Sequence, residues 1–552
     1  MAATADPAAG SDKALRSQSS PPIAKIPLEV LQRISYFLKT RDLGTLRLTC
    51  RSIEQALYQP FVREFFTIKQ FMFMGDSLQA LVDISKSRMS HHLKCVSFGL
   101  ECFPNDMNRS LADPEKERHY REVFSDTFVM LSTGQHVDML VEAFTNLPNL
   151  EGIIVRDLNS RRRYRDGPNA EWTSYCAPTL FSSTGFRLNA EAGGGWHMSS
   201  PRTFGNQVFS SIFYALAKGG VRIKSFENMC TFRTQIQDFA FELPRSHRPE
   251  FINVLEGLEK LYVAIDFGWR NWQGRNTHST DSRPKLDTKL SKFLSYCTNL
   301  KALRINETEC CDAHLLQFLT WLATPVKSAQ SSPDPPQAEQ QSSTTQQPMI
   351  GRTPPIALPR LEKLSLGCMS VPAPLLHGVI RKFAPQLKSI ELHRVVLLQP
   401  RSDDDDYSAI DDLPPKIILW VDFLKRLQRT PELDLEYIKI SCPKQTWTTT
   451  SDSMQVRFDG KDAMREYRGS DWKHFLKEIT PGMEGMWPSI RRQEEIEEDE
   501  EDDMDEEDDG DEDHSSSNSE AENFDWGLLD DGYDGFGAIV VEIEDGGDFI
   551  LD

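Results

Sequence analysis

About eight times along this chain, a pattern typical of an amphipathic helix is followed by a short link and a short apolar strand. The clearest helix patterns lie at residues 135–146, 206–218, 286–296, 312–323, 374–383 and 416–429. The strands that follow them begin at Leu150, Val221, Leu300, Leu361, Leu387 and Leu433, and weaker cases begin at Leu93 and Leu258. Units of this kind can stack into a curved solenoid with a parallel sheet.

Several links repeat leucine at a fixed spacing. They read LPNLEGIIV at Leu147, CTNLKALRI at Cys297, LPRLEKLSL at Leu358 and APQLKSIEL at Ala384. The alternation L-x-x-L-x-L places successive apolar side chains under one face of a strand, and the helix covers the same core. We therefore predict an α/β fold in which an N-terminal helical module precedes an irregular leucine-rich-repeat-like α/β solenoid over residues 67–490. The alternative is a doubly wound α/β domain, which would require more continuous β-branched strands.

Three segments have a composition typical of disorder. They are a leader at residues 1–20, a Ser-, Pro- and Gln-rich insertion at 324–357 and an acidic tail at 491–552. Residues 494–552 hold 28 of the 83 acidic side chains and no Lys or Arg, which leaves 62 basic and 55 acidic side chains in the rest of the chain. This small positive excess does not predict a nucleic-acid ligand. The tail is expected to be solvated or to dock, either on a partner or on the body of the chain.

The sequence contains few of the patterns that catalysis, metal binding or phosphate binding requires. Its ten cysteines form no C-x-x-C pair, which argues against zinc ribbons and disulfide scaffolds. The adjacent pairs His91 and His92, and Cys310 and Cys311, point to opposite faces of a strand and so rarely share a metal ion. No phosphate-binding loop is present. We expect no catalytic residue, cofactor or metal. No run of about 18 apolar residues occurs, so we also expect no membrane association and a cytoplasmic or nuclear protein.

The segment from Ile26 to Leu57 predicts two amphipathic helices joined by a short polar link. The first has apolar residues on one face at Val30, Leu31, Ile34, Phe37 and Leu38. The second, with Asp42 as its predicted cap, has an apolar stripe at Leu43, Leu46, Cys50, Ile53 and Leu57. So short a segment can bury only one side of these stripes by itself, so a second protein is expected to cover the remainder.

This segment resembles the F-box family. The family pattern of an entry proline and glutamate, an apolar helix, Asp-Leu-x-x-Leu-Arg and Cys-Arg is matched by Pro27, Glu29, Leu31, Ile34, Leu38, Asp42, Leu43, Leu46, Arg47, Cys50 and Arg51. Ile26 stands where the family has Leu and Ile53 where it often has Trp, so both positions stay apolar. The resemblance implies an F-box over residues 21–66 that binds the small Skp adaptor of cullin-based ubiquitin ligases. The implied contact residues are Ile26, Pro27, Leu31, Ile34, Leu38, Leu43, Leu46, Cys50 and Ile53.

The same resemblance implies a non-catalytic role. The chain would bind a Skp-family adaptor, be carried by a cullin scaffold, and recruit an unknown protein substrate for ubiquitination. A ligase proper would need paired Cys and His ligands for zinc or an activated cysteine, and the sequence displays neither. The alternative is a nuclear scaffold or a histone-type acidic-tail binding protein that engages the Skp adaptor without ubiquitin transfer.

Two long loops are candidates for target recognition, at residues 157–203 and 266–284. Loops that follow the strands of a solenoid emerge at the same edge, and these two contain Trp, Tyr and Arg, which dominate interface energetics. The predicted target-binding residues are Arg161, Arg162, Arg163, Trp172, Trp269, Arg270 and Trp272. An arginine cluster would suit an acidic or phosphorylated segment. In the alternative, the aromatic side chains fold back onto the solenoid and the arginines are solvated.

Overall fold

The computed structural model describes residue 23 and residues 26–103, 113–157, 164–167, 173–188, 201–230, 234–267, 288–307, 313–326, 353–399, 418–446 and 453–486. The predicted leader and the predicted acidic tail lie outside these residues, as does most of the predicted insertion. Their disorder stays a prediction.

Fourteen α-helices lie within the described residues. They are α1 (Leu28–Tyr36), α2 (Thr40–Thr49), α3 (Arg51–Phe65), α4 (Gly75–Ser85), α5 (Pro114–Thr133), α6 (Gln135–Thr145), α7 (Ala177–Thr184), α8 (Pro201–Gly219), α9 (Arg248–Gly257), α10 (Lys289–Leu294), α11 (Ala313–Ala323), α12 (Ala373–Phe383), α13 (Leu419–Gln428) and α14 (Trp472–Ile479). Among these helices we find none whose length and apolar content suffice for a membrane span.

All strands of the described residues belong to one sheet. They are β1 (Ile68–Met72), β2 (Cys95–Gly99), β3 (Gly152–Arg156), β4 (Ser225–Met229), β5 (Ile236–Gln237), β6 (Lys260–Asp266), β7 (Ala302–Glu307), β8 (Lys363–Pro372), β9 (Ser389–Leu398), β10 (Tyr437–Ser441), β11 (Lys444–Thr446), β12 (Met454–Phe458), β13 (Met464–Arg468) and β14 (Met483–Met486). The order β1-β2-β3-β4-β6-β7-β8-β9 follows the chain, and every neighbour in this series is parallel. Antiparallel pairs occur only after β9 among the described strands.

One apolar core joins the sheet to the helices α4–α6 and α8–α14. Alternate residues of a strand point into this core, as Leu261, Val263 and Ile265 of β6 do. The link leucines predicted from the sequence are at most 7% exposed, and they comprise Leu93, Leu150, Leu258, Leu300, Leu361 and Leu387. The predicted α/β class with a mostly parallel sheet is confirmed.

The opposite face of the sheet carries polar side chains in register. Glu227, Tyr262, Arg304, Ser365 and Glu391 lie side by side on five neighbouring strands. Each of them is less than a tenth exposed. Because buried charges are costly unless they are paired, this row depends on its own ion pairs.

A column of alternating charges follows the apolar link residue, a leucine in every unit except that of Ile223, at the entrance to the strands. From Glu151 onward, each backbone N–H of this column donates to the carbonyl of the preceding member at 2.7–2.8 Å. Its members are Lys94, Glu151, Lys224, Glu259, Lys301, Glu362, Lys388 and Glu436. Neighbouring strands are about 4.8 Å apart, so opposite charges stand beside each other at every step. Ion pairs form between Lys301 and Glu259 at 2.9 Å and between Lys388 and Glu436 at 3.4 Å.

Reversing one charge in this column is expected to destabilise the fold. Glu259→Lys would place three lysines in succession, and we expect the free energy of unfolding to fall by about 1 kcal/mol. Added salt should reduce this loss because the side chains are partly exposed. Urea denaturation at low and high ionic strength measures both effects. Glu256→Lys, on the exposed side of α9, is the matched control, and an equal loss in that variant would contradict the prediction.

The N-terminal segment forms three helices, although the sequence predicts two. Cys50 is extended, with φ −159° and ψ 160°, so the predicted second helix divides into α2 and α3. The bend allows Leu43 and Ile53 to share a core with Leu31. The predicted cap is also wrong: Lys39 occupies the N-cap position of α2, and Asp42 lies in its first turn, where its charge still favours the helix dipole.

The helix and strand alternation ends after β10. Val456 lies in β12, and Trp472–Ile479 form α14. β11, β13 and β14 were missed because they are short and polar. They complete the last edge of the sheet by pairing with β9, β10 and β12.

Candidate docking site

The three N-terminal helices have a small core of their own. It contains Leu31 of α1, Leu43 of α2, and Ile53, Leu57 and Phe65 of α3, and it is separate from the core of the sheet. We call α1, α2 and α3 the helical module. Leu31, Leu43 and Leu57 are buried within the module, not beneath the sheet.

The structure divides the predicted adaptor-binding residues into three groups. Leu31, Leu43 and Ile53 are buried, while Ile26, Leu38, Leu46 and Cys50 are half-buried and pack against the same core. Only Pro27 and Ile34 are exposed. The set therefore describes the interior of the helical module more than its outer surface.

An exposed apolar face lies on α1. Val30, Ile34 and Phe37 recur at i, i+4 and i+7, which places them on one side of the helix, and they are 48%, 41% and 70% exposed. Glu29 and Arg33 line the same shallow depression, and the Arg33 guanidinium lies 5.2 Å from the centre of the Phe37 ring. We call Val30, Ile34 and Phe37 the α1 face.

Exposed apolar side chains are concentrated in this part of the chain. Of the 14 large apolar side chains that are exposed in the described residues, seven lie between residues 23 and 48. They are Ile23, Leu28, Val30, Ile34, Tyr36, Phe37 and Leu48. Sequence reasoning placed Val30 and Phe37 on the first stripe but did not assign them to the site. Leu28, Tyr36 and Leu48 lie off the predicted stripes, so the helical periodicity gave no signal for them.

A network of charges joins α2 and α3 to the first unit of the sheet. Arg47 of α2 donates to Glu54 of α3 at 3.1 Å, and its guanidinium lies 3.4 Å from the centre of the Phe61 ring. Arg88, which follows α4, donates to the same carboxylate. Hydrogen bonding from Arg88, together with the charges of both arginines, lowers the pKa of Glu54. The helical module is thereby fixed to the sheet through α3.

A turn that follows β3 contacts the corner between α1 and α2. Arg165 forms two hydrogen bonds with the carboxylate of Glu64, both at 2.6 Å. The same guanidinium donates to the carbonyl of Leu38 at 2.8 Å and to those of Ser35 and Tyr36. Asp166 accepts from the backbone N–H of Thr40 at 2.8 Å and from its hydroxyl at 2.6 Å.

The predicted target-binding residues Arg161, Arg162, Arg163, Trp172, Trp269, Arg270 and Trp272 all lie outside the described residues. Near them, Ser174 donates to Glu101 at 2.6 Å and accepts from Gln70 at 2.9 Å. Burial raises the pKa of Glu101. The segment after β3 therefore touches both the helical module and the first strands.

The described residues hold no cluster of metal ligands, and several of their thiols have a raised pKa. Within the described ranges, no three His, Cys, Asp or Glu side chains are placed to hold a metal ion. Burial raises the pKa of Cys95, Cys230 and Cys297, and raises that of Cys102 to about 11. In contrast, hydrogen bonding with Ser52 lowers the pKa of Cys50.

Comparisons with known proteins place this chain in no family. No protein-family model matches it, and no curated protein matches it. A solved structure, the crystal structure of the Rad7 and Elc1 complex in yeast, aligns with 74% of this chain and 87% of its own chain at 10% identity, with a TM-score of 0.21. A similarity this low establishes neither fold nor function.

Proposed function

We propose that this protein is a non-catalytic adaptor of a cullin-based ubiquitin ligase. The helical module acts as an F-box that docks on a Skp-family adaptor, and the remainder of the chain, a leucine-rich-repeat-like solenoid, recruits a protein for ubiquitination. The observation that carries the proposal is the concentration of exposed apolar side chains on and around α1. The protein provides binding surfaces and performs no chemistry in this scheme.

The α1 face supports docking on energetic grounds. Apolar residues recurring on one side of a helix normally mark the side that packs against another element. Here the inner side of α1 packs through Leu31, and the second apolar side stays in solvent. Burial of a side chain of this size contributes about 1.5–3 kcal/mol when it is complete. Val30, Ile34 and Phe37 together therefore provide a favourable contact for a partner with an apolar groove.

The architecture of the sheet supports the solenoid part of the proposal. In a doubly wound domain the order of the strands reverses within the sheet. From β1 to β9 the order of the paired strands follows the chain without reversal, and the helices that precede them share one core with a single face of the sheet. Stacked units of this kind contact mainly their neighbours.

Capture of the adaptor tests the proposal. We expect Ile34→Lys to weaken the binding of a Skp-family adaptor to the full-length chain by about tenfold, because a charge replaces an apolar contact. Lysine at this position lies in the last turn of α1, where its charge favours the helix dipole, so the helix is retained. The dissociation constant measured by titration calorimetry checks the result.

Phe128→Lys on α5 is the matched control, since Phe128 is 48% exposed and lies outside the helical module. Unchanged affinity in Ile34→Lys, or an equal loss in both variants, would contradict docking through the α1 face. Co-purification of cullin with the adaptor separates ubiquitin transfer from the alternative, a nuclear scaffold or acidic-tail binding protein that engages the adaptor alone.

A further inference from the structure

The corner between α1 and α2 has no side-chain caps of its own. Helix ends leave backbone N–H and carbonyl groups without partners, and local Ser, Thr, Asp, Asn or Gly residues usually satisfy them. Here the N-cap of α2 is Lys39, which makes no side-chain capping bond, and the C-cap of α1 is Phe37 in a right-handed conformation. The backbone N–H groups of Phe37 and Leu38 donate to the carbonyls of Ile34 and Ser35. The first N–H of α2, in contrast, takes its acceptor from another part of the chain.

Arg165 and Asp166 provide what the corner lacks. A cation stabilises the C-terminal end of a helix and an anion stabilises the N-terminal end. The Arg165 guanidinium donates to the last carbonyls of α1, those of Ser35 and Tyr36, and Asp166 places its carboxylate on the first N–H of α2. Two consecutive residues thus match the opposite polarities of two consecutive helix ends, although they lie about 125 residues further along the chain.

The same arginine connects α1 to the sheet. Glu64 accepts both of its remaining hydrogen bonds and lies near the end of α3, four residues before Ile68 begins β1. The Arg165 side chain is only 11% exposed. Hydrogen bonds between charged groups are stronger than neutral ones, and a bidentate arginine fixes orientation as well as distance. Loss of Arg165 would remove the hydrogen bonds that connect the end of α1 to α3 and to the turn after β3.

We propose that Arg165 and Asp166 form a clamp that sets the orientation of the α1 face relative to the sheet. They are positioning residues: neither belongs to the α1 face itself. Because the α1 face is the proposed docking surface, this role of the clamp rests on the proposed function.

Hydrogen exchange on the full-length chain tests the clamp directly. Arg165→Ala should increase amide exchange in the last turn of α1 and the first turn of α2 by about tenfold. Arg165→Lys, which keeps the charge but loses the planar fork, should give an intermediate increase. Arg187→Ala is the matched control, since Arg187 is exposed in a neighbouring segment and contacts the Phe181 ring. It should leave both turns unchanged.

Two results would overturn the clamp. One is unchanged exchange at both turns in Arg165→Ala, and the other is an equal increase in β8 and β9, which would make Arg165 a general requirement of the fold. Binding of a Skp-family adaptor provides a second readout, which should weaken in Arg165→Ala and stay unchanged in Arg187→Ala. If exchange rises as expected while the unaltered chain binds no such adaptor, the clamp stands and the proposed function fails.

Discussion

Replacing Glu391 by glutamine is expected to lower the free energy of unfolding by about 3–5 kcal/mol. Glu391 is 7% exposed and accepts from Arg304 at 2.6 Å and from Lys363 at 2.7 Å. Arg304 is also buried, and its guanidinium lies 4.5 Å from the centre of the Tyr262 ring. Removal of the carboxylate leaves this cation in the sheet without its counter-charge, which is the costly way to break a buried ion pair.

The pKa of Glu391 gives this prediction a pH dependence. Burial by itself would raise the pKa, but the charges and hydrogen bonds of Arg304 and Lys363 outweigh burial and lower it from 4.5 to about 2. The folded protein therefore binds fewer protons than the unfolded chain between these values. The contribution of Glu391 is fully present above about pH 4.5 and is lost as the pH falls toward 2. The difference between Glu391→Gln and the unaltered protein should shrink over that interval.

Urea unfolding followed by circular dichroism, with hydrogen exchange in β8 and β9, measures the loss. Glu362→Gln is the matched control, because Glu362 is exposed at the entrance to β8. We expect it to change stability by less than about 1 kcal/mol. A loss in Glu391→Gln no larger than that of the control would show that the buried row does not depend on its ion pairs.

Trp420→Ala is expected to destabilise the C-terminal part of the sheet by about 3–5 kcal/mol. The Trp420 side chain is fully buried in α13, its ring meets that of Phe423 edge to face at 5.6 Å, and its indole N–H donates to the carbonyl of Lys444 at 2.7 Å. The substitution removes a large apolar volume and removes the indole donor from the Lys444 carbonyl of β11.

Trp420→Phe separates the two contributions. It keeps most of the apolar volume and loses the donor, so a smaller loss of about 1–2 kcal/mol is expected. Thermal unfolding, with hydrogen exchange in α13 and β11, measures both variants. Equal losses in the two would mean that the hydrogen bond dominates and that packing of the indole contributes little.

The helix and strand units could be predicted from the sequence because their signal is local. Each link leucine is followed by alternating apolar residues, so the pattern alone placed Leu261 and Ile305 in a core. The column of charges had a local signal too. The residue after the apolar link residue is Glu151, then Lys224, then Glu259. This alternation in sign along the chain is compatible with strands that pair in chain order.

The helical module was harder to predict because its decisive contacts are distant in the chain. Apolar residues keep a helical spacing across Cys50, and no Gly or Pro marks the bend there. The capping of α2 depends on Asp166, which no pattern near Thr40 reveals. The exposed apolar side chains of the module are those that these distant contacts do not cover. Periodicity alone could therefore not distinguish them from the side chains in the interior of the module.

The column of charges imposes a rule of parity on this protein. Removal of one unit, such as that of Glu259, would make Lys224 the neighbour of Lys301, so two like charges would face each other. Removal of the two successive units of Lys224 and Glu259 would leave Glu151 beside Lys301. Every neighbouring pair would then still be attractive. Lengthening or shortening the array is therefore least costly in even numbers of units. An odd change calls for a charge reversal elsewhere along the column.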